Sequence, residues 1–538
     1  SNAWIIVYKA DDAALYLHQS VEYDKWLNIK AVKNDGKYSL SLTLPAYFAG
    51  EKLHYSSGDK SGKVVTKPGN MDTEAWFELP GKSFGQPLTI KDSNGEILAI
   101  NSFGEEEINS KLLYKAILKN EQSIQEDGSI EINAQRIYSP KTVQSLNGLA
   151  QSKLSEGKIY LMNSSHQDIA WMDSPEKCVL ERDTMLLSPL FELASENPDY
   201  RFDIEDALML KEYIHRHPEK RSLVQQMLDD GRISCGSTFI QPYEEMYSGE
   251  SLARQFYFGA KWLKDEFNYG ARIYWNVDVP GRTLQMPQIM KKAGTDYLMM
   301  SRFEKGIYNW YSPDGSYITA FSPGHYADDF RPLQKNFYEA AQYLSSTALF
   351  WEKYYKEKTE DSVVPVLSDW DMSPAVDYSP FIQNWESLAE LQKENGDFEK
   401  VTLPEFRISS GPEFFDALSA GIEDIPSIKG ERPAIWLYIH GPSHQKALKA
   451  SREGDIILTQ AEKFATANAW IEKSFRDYPQ VELNKAWEAK IYPDHGWGGK
   501  NGEITDNLFL QKYLEAKSTG EYILDRTLKD ISAKIKVS

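Results

Sequence analysis

The chain has 538 residues, and its 60 Lys and Arg against 79 Asp and Glu give a net charge of −19 at pH 7. This charge argues against a nucleic acid or an anionic membrane surface as a partner. Apolar residues make up 41% of the chain, but no apolar run approaches the ~20 residues that span a bilayer. The composition therefore excludes a wholly disordered chain and predicts no transmembrane segment, and the length predicts roughly three or four domains.

The first region, residues 1 to 152, is predicted to be a β-rich accessory domain. Alternating apolar residues such as Leu40, Leu42 and Leu44 are flanked by turn residues such as those at 34–36. The opening Ser-Asn-Ala tripeptide is typical of the remnant left by tag removal. We therefore expect a periplasmic or secreted protein if a signal peptide was removed ahead of it, and a cytoplasmic protein otherwise.

The middle region, residues 153 to 430, alternates short apolar runs with amphipathic segments, which is typical of βα units around a parallel sheet. Strands are predicted at Ile159 to Met162, Arg201 to Ile204, Arg232 to Cys235, Ile273 to Val277, Tyr297 to Met300, Ile318 to Phe321 and Val363 to Leu367. Catalytic groups of parallel α/β folds gather at the carboxyl ends of the strands. The polar residues that follow these strands include His166, Asp168, Glu205, Asp206, Ser237, Asp278, Arg302, His325, Asp369 and Asp371.

The last region, residues 431 to 538, changes to helical periodicity. Apolar residues recur at helical spacing, for example at Leu524, Leu528, Ile531 and Ile535. This pattern predicts a helical bundle.

The segment His166-Gln167-Asp168 stands just beyond the first predicted strand. Its imidazole and carboxylate can bind one hard or borderline cation. With 9 His and 79 acidic residues, about one such pair is expected by chance. Alone, the pair favours a satisfied loop histidine over a metal site.

Asp278 follows the fourth predicted strand and precedes Gly281, where a helix containing Met286 and Met290 is predicted to open. A carboxylate beside a helix N-terminus stays ionised and is available as a metal ligand or a nucleophile. The alternative is that Asp278 only caps this helix, and the local sequence favours neither.

Asp369 and Asp371 flank Trp370 after the last predicted strand. In an extended segment their carboxylates point the same way, and mutual repulsion raises one pKa and makes an acid donor. If the segment turns instead, only one carboxylate faces the site. A solvated acidic loop is the remaining alternative.

His495 lies in a Gly-rich stretch, Tyr492 to Gly499, between predicted helices. Such a loop can bring an imidazole close to another domain's site, or it can be a surface turn. His440 and His444 compete with His495 for any role given to a histidine of the helical region.

Taken together, these residues resemble glycoside hydrolase family 38, the retaining α-mannosidases, over about residues 155 to 538. His166 to Trp171 is similar to the family's His-x-Asp-x-x-Trp metal motif, and Trp275 to Gly281 is similar to its Trp-x-x-Asp-Pro-Phe-Gly nucleophile segment. Trp310 to Ser316 resembles the family's Trp-x-x-x-Asp-Gly-Ser stretch, and Pro493 to Gly496 resembles the loop of its helical bundle that supplies the last metal ligand.

The resemblance implies an α/β fold, namely a distorted (β/α)7-type barrel with an N-terminal β-domain and a C-terminal three-helix bundle. It implies that His166, Asp168, Asp278 and His495 bind Zn²⁺, that the ion holds the O2 and O3 hydroxyls of a mannosyl unit, and that Asp278 is also the nucleophile. The implied activity is exo-acting hydrolysis of mannose-containing glycans, with retention through a double displacement. Asp369 is the better match to the acid segment of bacterial members, with Asp371 in reserve.

The chain departs from the family pattern in two places. Residues 279–283 read Val-Pro-Gly-Arg-Thr where the family usually has Pro-Phe-Gly-His-Ser, and residues 494–496 read Asp-His-Gly where it usually has His-His-Asp-Gly. Histidines that orient metal ligands in the family are missing there, which bears on metal affinity and sugar preference.

Two other functions are compatible with the sequence. A zinc-dependent carbohydrate deacetylase on a related α/β barrel would use the metal to activate water and would need a single catalytic carboxylate. A glycan-binding relative that has kept the barrel and lost turnover would bind metal without hydrolysing α-mannosides.

Overall fold

The structure is a computed structural model. The residues it describes are 2–8, 14–21, 25–34, 37–44, 50–66, 73–80, 87–95, 97–102, 130–133, 140–334, 337–386, 388, 390–392, 398–422, 424–434 and 444–535. His440 lies outside these residues.

Two antiparallel sheets form the N-terminal region. Their strands are β1 Asn2–Tyr8, β2 Ala14–Val21, β3 Lys25–Asn34, β4 Lys37–Leu44, β5 Lys52–Ser57, β6 Lys60–Val65, β7 Thr73–Pro80, β8 Pro87–Lys91, β9 Ile97–Ser102 and β10 Ile130–Asn133. The larger sheet has the order β10-β1-β2-β3-β4-β7, and the smaller sheet has the order β6-β5-β8-β9. The alternating residues Leu40, Leu42 and Leu44 lie on β4, as their pattern predicts.

Helix α1, Pro140–Gln151, packs against the region that follows it. Its Leu146 and Leu149 are buried in the same core as Ile159 and Leu161 of the next strand. This packing groups α1 with the middle region, and the domain boundary after residue 152 stays a prediction.

Strands and helices alternate through most of the middle region. The strands are β11 Lys158–Asn163, β12 Phe202–Ile204, β13 Ile233–Cys235, β14 Ile273–Asn276, β15 Tyr297–Met300, β16 Gly306–Tyr311, β17 Tyr317–Ser322, β18 Val363–Ser368, β19 Glu390–Gln392, β20 Phe398–Lys400, β21 Glu405–Ser409 and β22 Ser427–Lys429. The helices are α2 Pro175–Glu181, α3 Ser188–Glu196, α4 Ala207–Arg216, α5 Arg221–Asp229, α6 Gly249–Phe267, α7 Met286–Lys292, α8 Phe330–Leu333, α9 Phe337–Ala348, α10 Ser379–Glu386 and α11 Gly411–Gly421.

Parallel pairing dominates this region. β11 lies between β18 and β21, β12 pairs with β13, and β15 lies between β14 and β17. A bridge from Ser164 to Asp203 and a hydrogen bond of 2.8 Å from the Ser237 N–H to the Ile273 carbonyl connect successive groups of strands. Every predicted strand of this region is present. Short apolar runs predicted them well, since strands of a parallel sheet are covered on both faces.

Three unpredicted strands extend the sheets, and one of them, β22, pairs in parallel with β16. β16 runs antiparallel to β17 across a turn at Gly315, whose φ of +86° favours glycine. β21 lies beside β11, and its residues alternate between exposed and buried, as in a strand at the edge of a sheet.

Three helices follow residue 444 among the described residues: α12 Gln445–Glu472, α13 Gln480–Ile491 and α14 Gly502–Ser532. Leu458 of α12, Trp487 of α13 and Ala516 of α14 share a buried core. None of the described helices combines the length and apolar character needed to cross a membrane. The loop between α13 and α14 contacts the middle region, since the Lys500 N–H donates to the Trp171 carbonyl at 2.8 Å.

Candidate metal and catalytic site

The parallel pairing of β11 with β18 continues past the ends of both strands. The Ser164 N–H donates to the Ser368 carbonyl at 2.9 Å, and the His166 N–H donates to the Trp370 carbonyl at 3.2 Å. A bridge then pairs His166 with Asp371. The loops after the two strands therefore lie side by side, as the carboxyl ends of parallel strands do.

The four predicted metal ligands lie together. His495 Nε2 is 2.9 Å from Asp168 Oδ1 and 3.1 Å from His166 Nε2. His166 Nε2 is 3.8 Å from Asp168 Oδ1. Asp278 places a carboxylate oxygen within 4.8 Å of a ring nitrogen of both histidines. The loop after α13 thus meets the loop after β11, although 329 positions separate the two histidines.

The hydrogen bonds of the two imidazoles fit a cation between them. Nδ1 of His166 donates to Glu205 Oε2 at 2.9 Å, and Nδ1 of His495 donates to the Gln241 carbonyl at 3.0 Å. With both Nδ1 atoms protonated, the neutral rings present lone pairs at Nε2, and these face each other across 3.1 Å. A proton or a cation must relieve this repulsion, and two imidazoles with two carboxylates are a donor set that suits zinc.

Burial and neighbouring carboxylates act in opposite directions on these ligands. Burial lowers the pKa of His166, but the Glu205 carboxylate, together with Asp168, raises it well above its ordinary value. Burial also lowers the pKa of His495, and the Asp168 carboxylate raises it to about 9. Burial raises the pKa of Asp168, and His495 brings it below its ordinary value. The site therefore favours positive charge, which protons or a divalent cation can supply.

Asp278 lies in the loop after β14 with its carboxylate partly exposed. Its Oδ1 accepts hydrogen bonds from the guanidinium of Arg302, with Nε at 2.7 Å. The predicted helix opening at Gly281 is wrong, since α7 begins at Met286 and its N-cap is Gln285. Asp278 therefore does not cap α7, and the positive charge beside it comes from Arg302 instead of a helix dipole.

Two buried side chains that received no predicted role connect the ligands. Glu205 follows β12 and binds His166, as described above, and the Gln241 Nε2 donates to the same Glu205 oxygen at 2.6 Å. The Gln241 Oε1 accepts a hydrogen bond from the Val277 N–H at 3.2 Å. The position of Glu205 after a predicted strand marked it as a candidate, but no sequence signal distinguishes Gln241.

Asp494 fixes the loop that carries His495. Its Oδ2 accepts a hydrogen bond from the Ile169 N–H at 2.7 Å, and its Oδ1 accepts one from the Gly496 N–H at 2.8 Å. One carboxylate therefore joins the backbone next to Asp168 to the backbone next to His495.

The Gly-rich end of the same loop presses against the loop after β11. Gly499 has a φ of +72°, and a Cβ there would lie 2.4 Å from the Trp171 carbonyl oxygen. Asp173 accepts hydrogen bonds from Lys500 Nζ at 2.8 Å and from Asn501 Nδ2 at 2.7 Å. These contacts hold the C-terminal loop in place at the site.

The two predicted proton donors differ in exposure. Asp369 is fully buried, and burial together with the nearby Glu205 carboxylate raises its pKa well above its ordinary value. Asp371 is half-buried, and its Oδ1 accepts a hydrogen bond from the Tyr326 hydroxyl at 2.5 Å. The chain turns directly after Asp371, where Met372 has a φ of +52°.

Aromatic rings surround Asp371. The Tyr326 ring stacks on His325 with centroids 4.5 Å apart, and the Arg302 guanidinium lies 5.4 Å from the Tyr326 centroid. The Trp370 ring lies 6.2 Å from the Tyr326 ring. Such rings suit stacking against a sugar.

Two other motif segments have structural contacts. His444 Nε2 lies 3.0 Å from Asp506 Oδ2, and Asp506 Oδ1 accepts a hydrogen bond from the Gly498 N–H at 2.9 Å, so this histidine supports the Gly-rich loop. Asp314 accepts a hydrogen bond from the Ser316 N–H at 3.1 Å in the turn between β16 and β17.

Residues 156–431 match the model of the family described as Glycosyl hydrolases family 38 N-terminal domain. The alpha-mannosidase of Saccharomyces cerevisiae is 23% identical over 355 residues, which cover 61% of this chain and 30% of the yeast protein. Human alpha-mannosidase 2C1 is 23% identical over 350 residues, which cover 62% of this chain and 31% of that protein. The crystal structure of an alpha-mannosidase from Enterococcus faecalis V583 aligns with a TM-score of 0.58 at 17% identity, covering 71% of this chain and 43% of that one.

The family match covers just over half of the 538 residues, and the chain belongs to glycoside hydrolase family 38. This result confirms the resemblance found in the sequence motifs. The crystal structure from Enterococcus faecalis confirms the mixed α/β fold. The chain spans about 30% of the length of the yeast and human relatives.

Proposed function

We propose that this chain is the catalytic part of a zinc-dependent retaining α-mannosidase that removes terminal mannose from glycans. The convergence of His166, Asp168, Asp278 and His495 carries the proposal. Membership of family 38 and the alpha-mannosidase names of its relatives support the substrate class. Within this proposal the parallel strands form the (β/α)7-type barrel and α12 to α14 form the three-helix bundle.

The proposed first step forms a glycosyl-enzyme. A bound zinc ion would hold and polarise sugar hydroxyls at the four ligands. The Asp278 carboxylate attacks the anomeric carbon, the glycosidic bond breaks, and an acid on the opposite side gives its proton to the leaving oxygen. Arg302 fixes the orientation of Asp278 through its hydrogen bonds to Oδ1.

The proposed second step releases the sugar. Water attacks the anomeric carbon and gives a proton to the carboxylate left by the acid, while the bond to Asp278 breaks and restores its carboxylate. Two displacements retain the anomeric configuration, which requires the two carboxyl groups to be ~5 to 5.5 Å apart.

We assign the acid to Asp371. Its carboxylate is half-buried beside Tyr326 and Trp370, where a leaving group can reach it, whereas Asp369 is fully enclosed near Glu205. The sequence motif favoured Asp369, and the difference in exposure supports Asp371 instead.

Metal analysis followed by hydrolysis of 4-nitrophenyl α-mannoside tests the proposal. We expect about one equivalent of zinc, hydrolysis that a chelator abolishes, and recovery when zinc is restored. Release of acetate from acetylated sugars in place of mannoside hydrolysis would support the deacetylase. Bound metal without either reaction would support a glycan-binding relative.

Asp278→Asn tests the nucleophile. We expect hydrolysis to fall about a thousandfold or more, because the amide cannot form the glycosyl-enzyme. Zinc content is measured alongside, since Asp278 is also a ligand. Near-normal hydrolysis by this variant would contradict the mechanism.

A further inference from the structure

The two imidazoles of the site depend on hydrogen bonds that converge on one buried residue. Gln241 lies in the loop after β13 and is 1% exposed. Its backbone carbonyl accepts the Nδ1–H of His495 at 3.0 Å, and its Nε2 donates at 2.6 Å to the Glu205 oxygen that accepts the Nδ1–H of His166. One residue is thus the partner of His495 and also contacts the partner of His166.

The same side chain also reaches the segment that carries the third ligand. The Gln241 Oε1 accepts the Val277 N–H at 3.2 Å, and Val277 directly precedes Asp278. The Val277 N–H can only donate, so Oε1 faces it and Nε2 faces Glu205. The amide orientation is therefore fixed by its two partners, and both halves of the amide are used.

We propose that Gln241 is a positioning residue that sets the spacing and ring orientation of His166, His495 and Asp278 for a divalent cation. The proposal rests on the cation site of the proposed function. An acceptor at each Nδ1 fixes which ring nitrogen carries the proton, and the other nitrogen is then a lone pair aimed at the ion. Here Glu205 and Gln241 supply these acceptors.

Arg282, in the loop of Asp278, does not make the same link. Arg282 stands where the family usually has a histidine, and its guanidinium donates to the backbone carbonyls of Asn276, Val279 and Gly281. Arg282 therefore holds the loop of Asp278 by its backbone and has no hydrogen bond to the ligands among the described residues. Gln241 makes the link to the ligands instead.

Gln241→Met tests the proposal, because it keeps the side-chain length and the backbone carbonyl but removes the amide. We expect the affinity for Co²⁺, measured by competition with a chromophoric chelator, to fall about 10- to 100-fold. We also expect the visible absorption bands of the bound Co²⁺ to change, because the geometry of the ligands changes.

Gln255→Met is the matched control. Gln255 is equally buried and also uses both halves of its amide on the backbone, donating to the Ile491 carbonyl at 3.0 Å and accepting the Ile240 N–H at 3.1 Å. Among the described residues, its amide makes no hydrogen bond to the four candidate ligands. We expect Gln255→Met to lose about as much thermal stability as Gln241→Met. Its cobalt affinity and cobalt spectrum should equal those of the unchanged protein.

The outcomes separate the role of Gln241 from the proposed function. Unchanged cobalt affinity and spectrum in Gln241→Met would overturn the positioning role while leaving the cation site intact. Failure of the unchanged protein to bind Co²⁺ or Zn²⁺ would overturn both proposals. If Gln241→Met does not fold, Gln241→Glu carries the same test, because it keeps the acceptor for Val277 and places a carboxylate against Glu205.

Discussion

Asp369 and Asp371 are separated by a single residue, yet they lie in different environments. Asp369 is enclosed, and burial together with the Glu205 carboxylate raises its pKa well above the ordinary value. Asp371 is half-buried and hydrogen-bonded to the Tyr326 hydroxyl. An enclosed acid and a partly exposed acid should respond differently to the same substitution.

We expect Asp371→Asn to lower kcat/KM for 4-nitrophenyl or methyl α-mannoside about 10²- to 10⁴-fold, the usual contribution of a general acid. A dinitrophenyl leaving group needs no protonation, so kcat/KM for that substrate should fall much less. Asp369→Asn keeps the shape of a side chain that is fully enclosed and should change kcat/KM for both substrates only a few-fold. The opposite pattern in the two variants would assign the acid to Asp369.

The pH dependence of stability depends on buried carboxyl groups away from the ligands. Burial raises the pKa of Asp203 from its ordinary 3.8 to about 7. The folded state therefore binds more protons than the unfolded state between these values, so Asp203 destabilises the fold increasingly as pH rises through this window. Its carboxylate also accepts the Gly411 N–H at 2.9 Å, which an amide oxygen can replace.

We expect Asp203→Asn to gain stability relative to the unchanged protein as pH rises. Between pH 5 and 8 the relative gain should be about 2 to 3 kcal/mol. Melting temperatures of the two proteins, recorded in parallel across this range, measure it. A difference that stays constant with pH would show that Asp203 titrates alike in the folded and unfolded states.

At the residue level, the sequence predicted which side chains meet at the candidate site but not the contacts that orient them. His166, Asp168 and Asp278 follow predicted strands, and the catalytic groups of parallel α/β folds lie at the carboxyl ends of the strands. Gln241 lies several residues past its strand, and its role depends on three separate segments meeting around it. A glutamine in a loop carries no pattern that predicts such contacts.

At the level of elements, seven strands of the middle region were predictable and one helix start was not. A helix opening at Gly281 would place Pro287 in its interior, where proline lacks the N–H and clashes with the preceding turn. Starting at Met286 places Pro287 in the first turn, where proline is tolerated. The segment between is used in tertiary contacts, since the Thr283 N–H donates to Glu244 Oε2 at 2.7 Å.

The Gly-rich loop between α13 and α14 lies close to the backbone of Trp171, in the loop after β11. Gly499 and Gly294 have similar φ angles, +72° and +79°, but a Cβ at Gly294 would meet nothing within 4 Å, whereas one at Gly499 would meet the Trp171 backbone. Alanine at either position carries the strain of a positive φ, about 1 to 2 kcal/mol. Only Gly499 adds a steric clash at the site.

We therefore expect Gly499→Ala to lower stability more than Gly294→Ala, by about 1 to 3 kcal/mol beyond the shared strain. Gly499→Ala should also weaken zinc binding, because the clash pushes the loop of His495 away from the loop of Asp168. Thermal melting and chelator competition on both variants measure the two effects. An equal loss of stability in the two variants would mean that the close contact between Gly499 and Trp171 does not contribute to stability.

At the level of the whole molecule, the candidate site joins two regions of the chain. His166, Asp168 and Asp278 come from loops after parallel strands, whereas His495 comes from the loop between α13 and α14. Hydrophobic periodicity predicted both regions, but it contains no information on how a loop of one reaches the other. That contact was expected from the resemblance to family 38 alone, and the distances around His495 agree with it.

A cation held by both regions should couple their stability. A zinc ion that binds only the folded state stabilises that state by about 2.7 kcal/mol when the free zinc concentration is 100 times the dissociation constant. Because the ligands are shared, this stabilisation should appear in residues 166–171 and 493–499 together. Helix α5, Arg221–Asp229, contains none of the ligands and serves as an internal control.

We expect hydrogen exchange to show this coupling. On addition of zinc to chelator-treated protein, amide exchange should slow in both loop segments by a similar factor, while α5 changes little. His495→Ala should remove the effect from both segments, since the loss of one ligand weakens the shared ion. Zinc-dependent protection of residues 166–171 without any change at 493–499 would show that the C-terminal loop contributes no ligand. The proposed four-residue site would then be wrong.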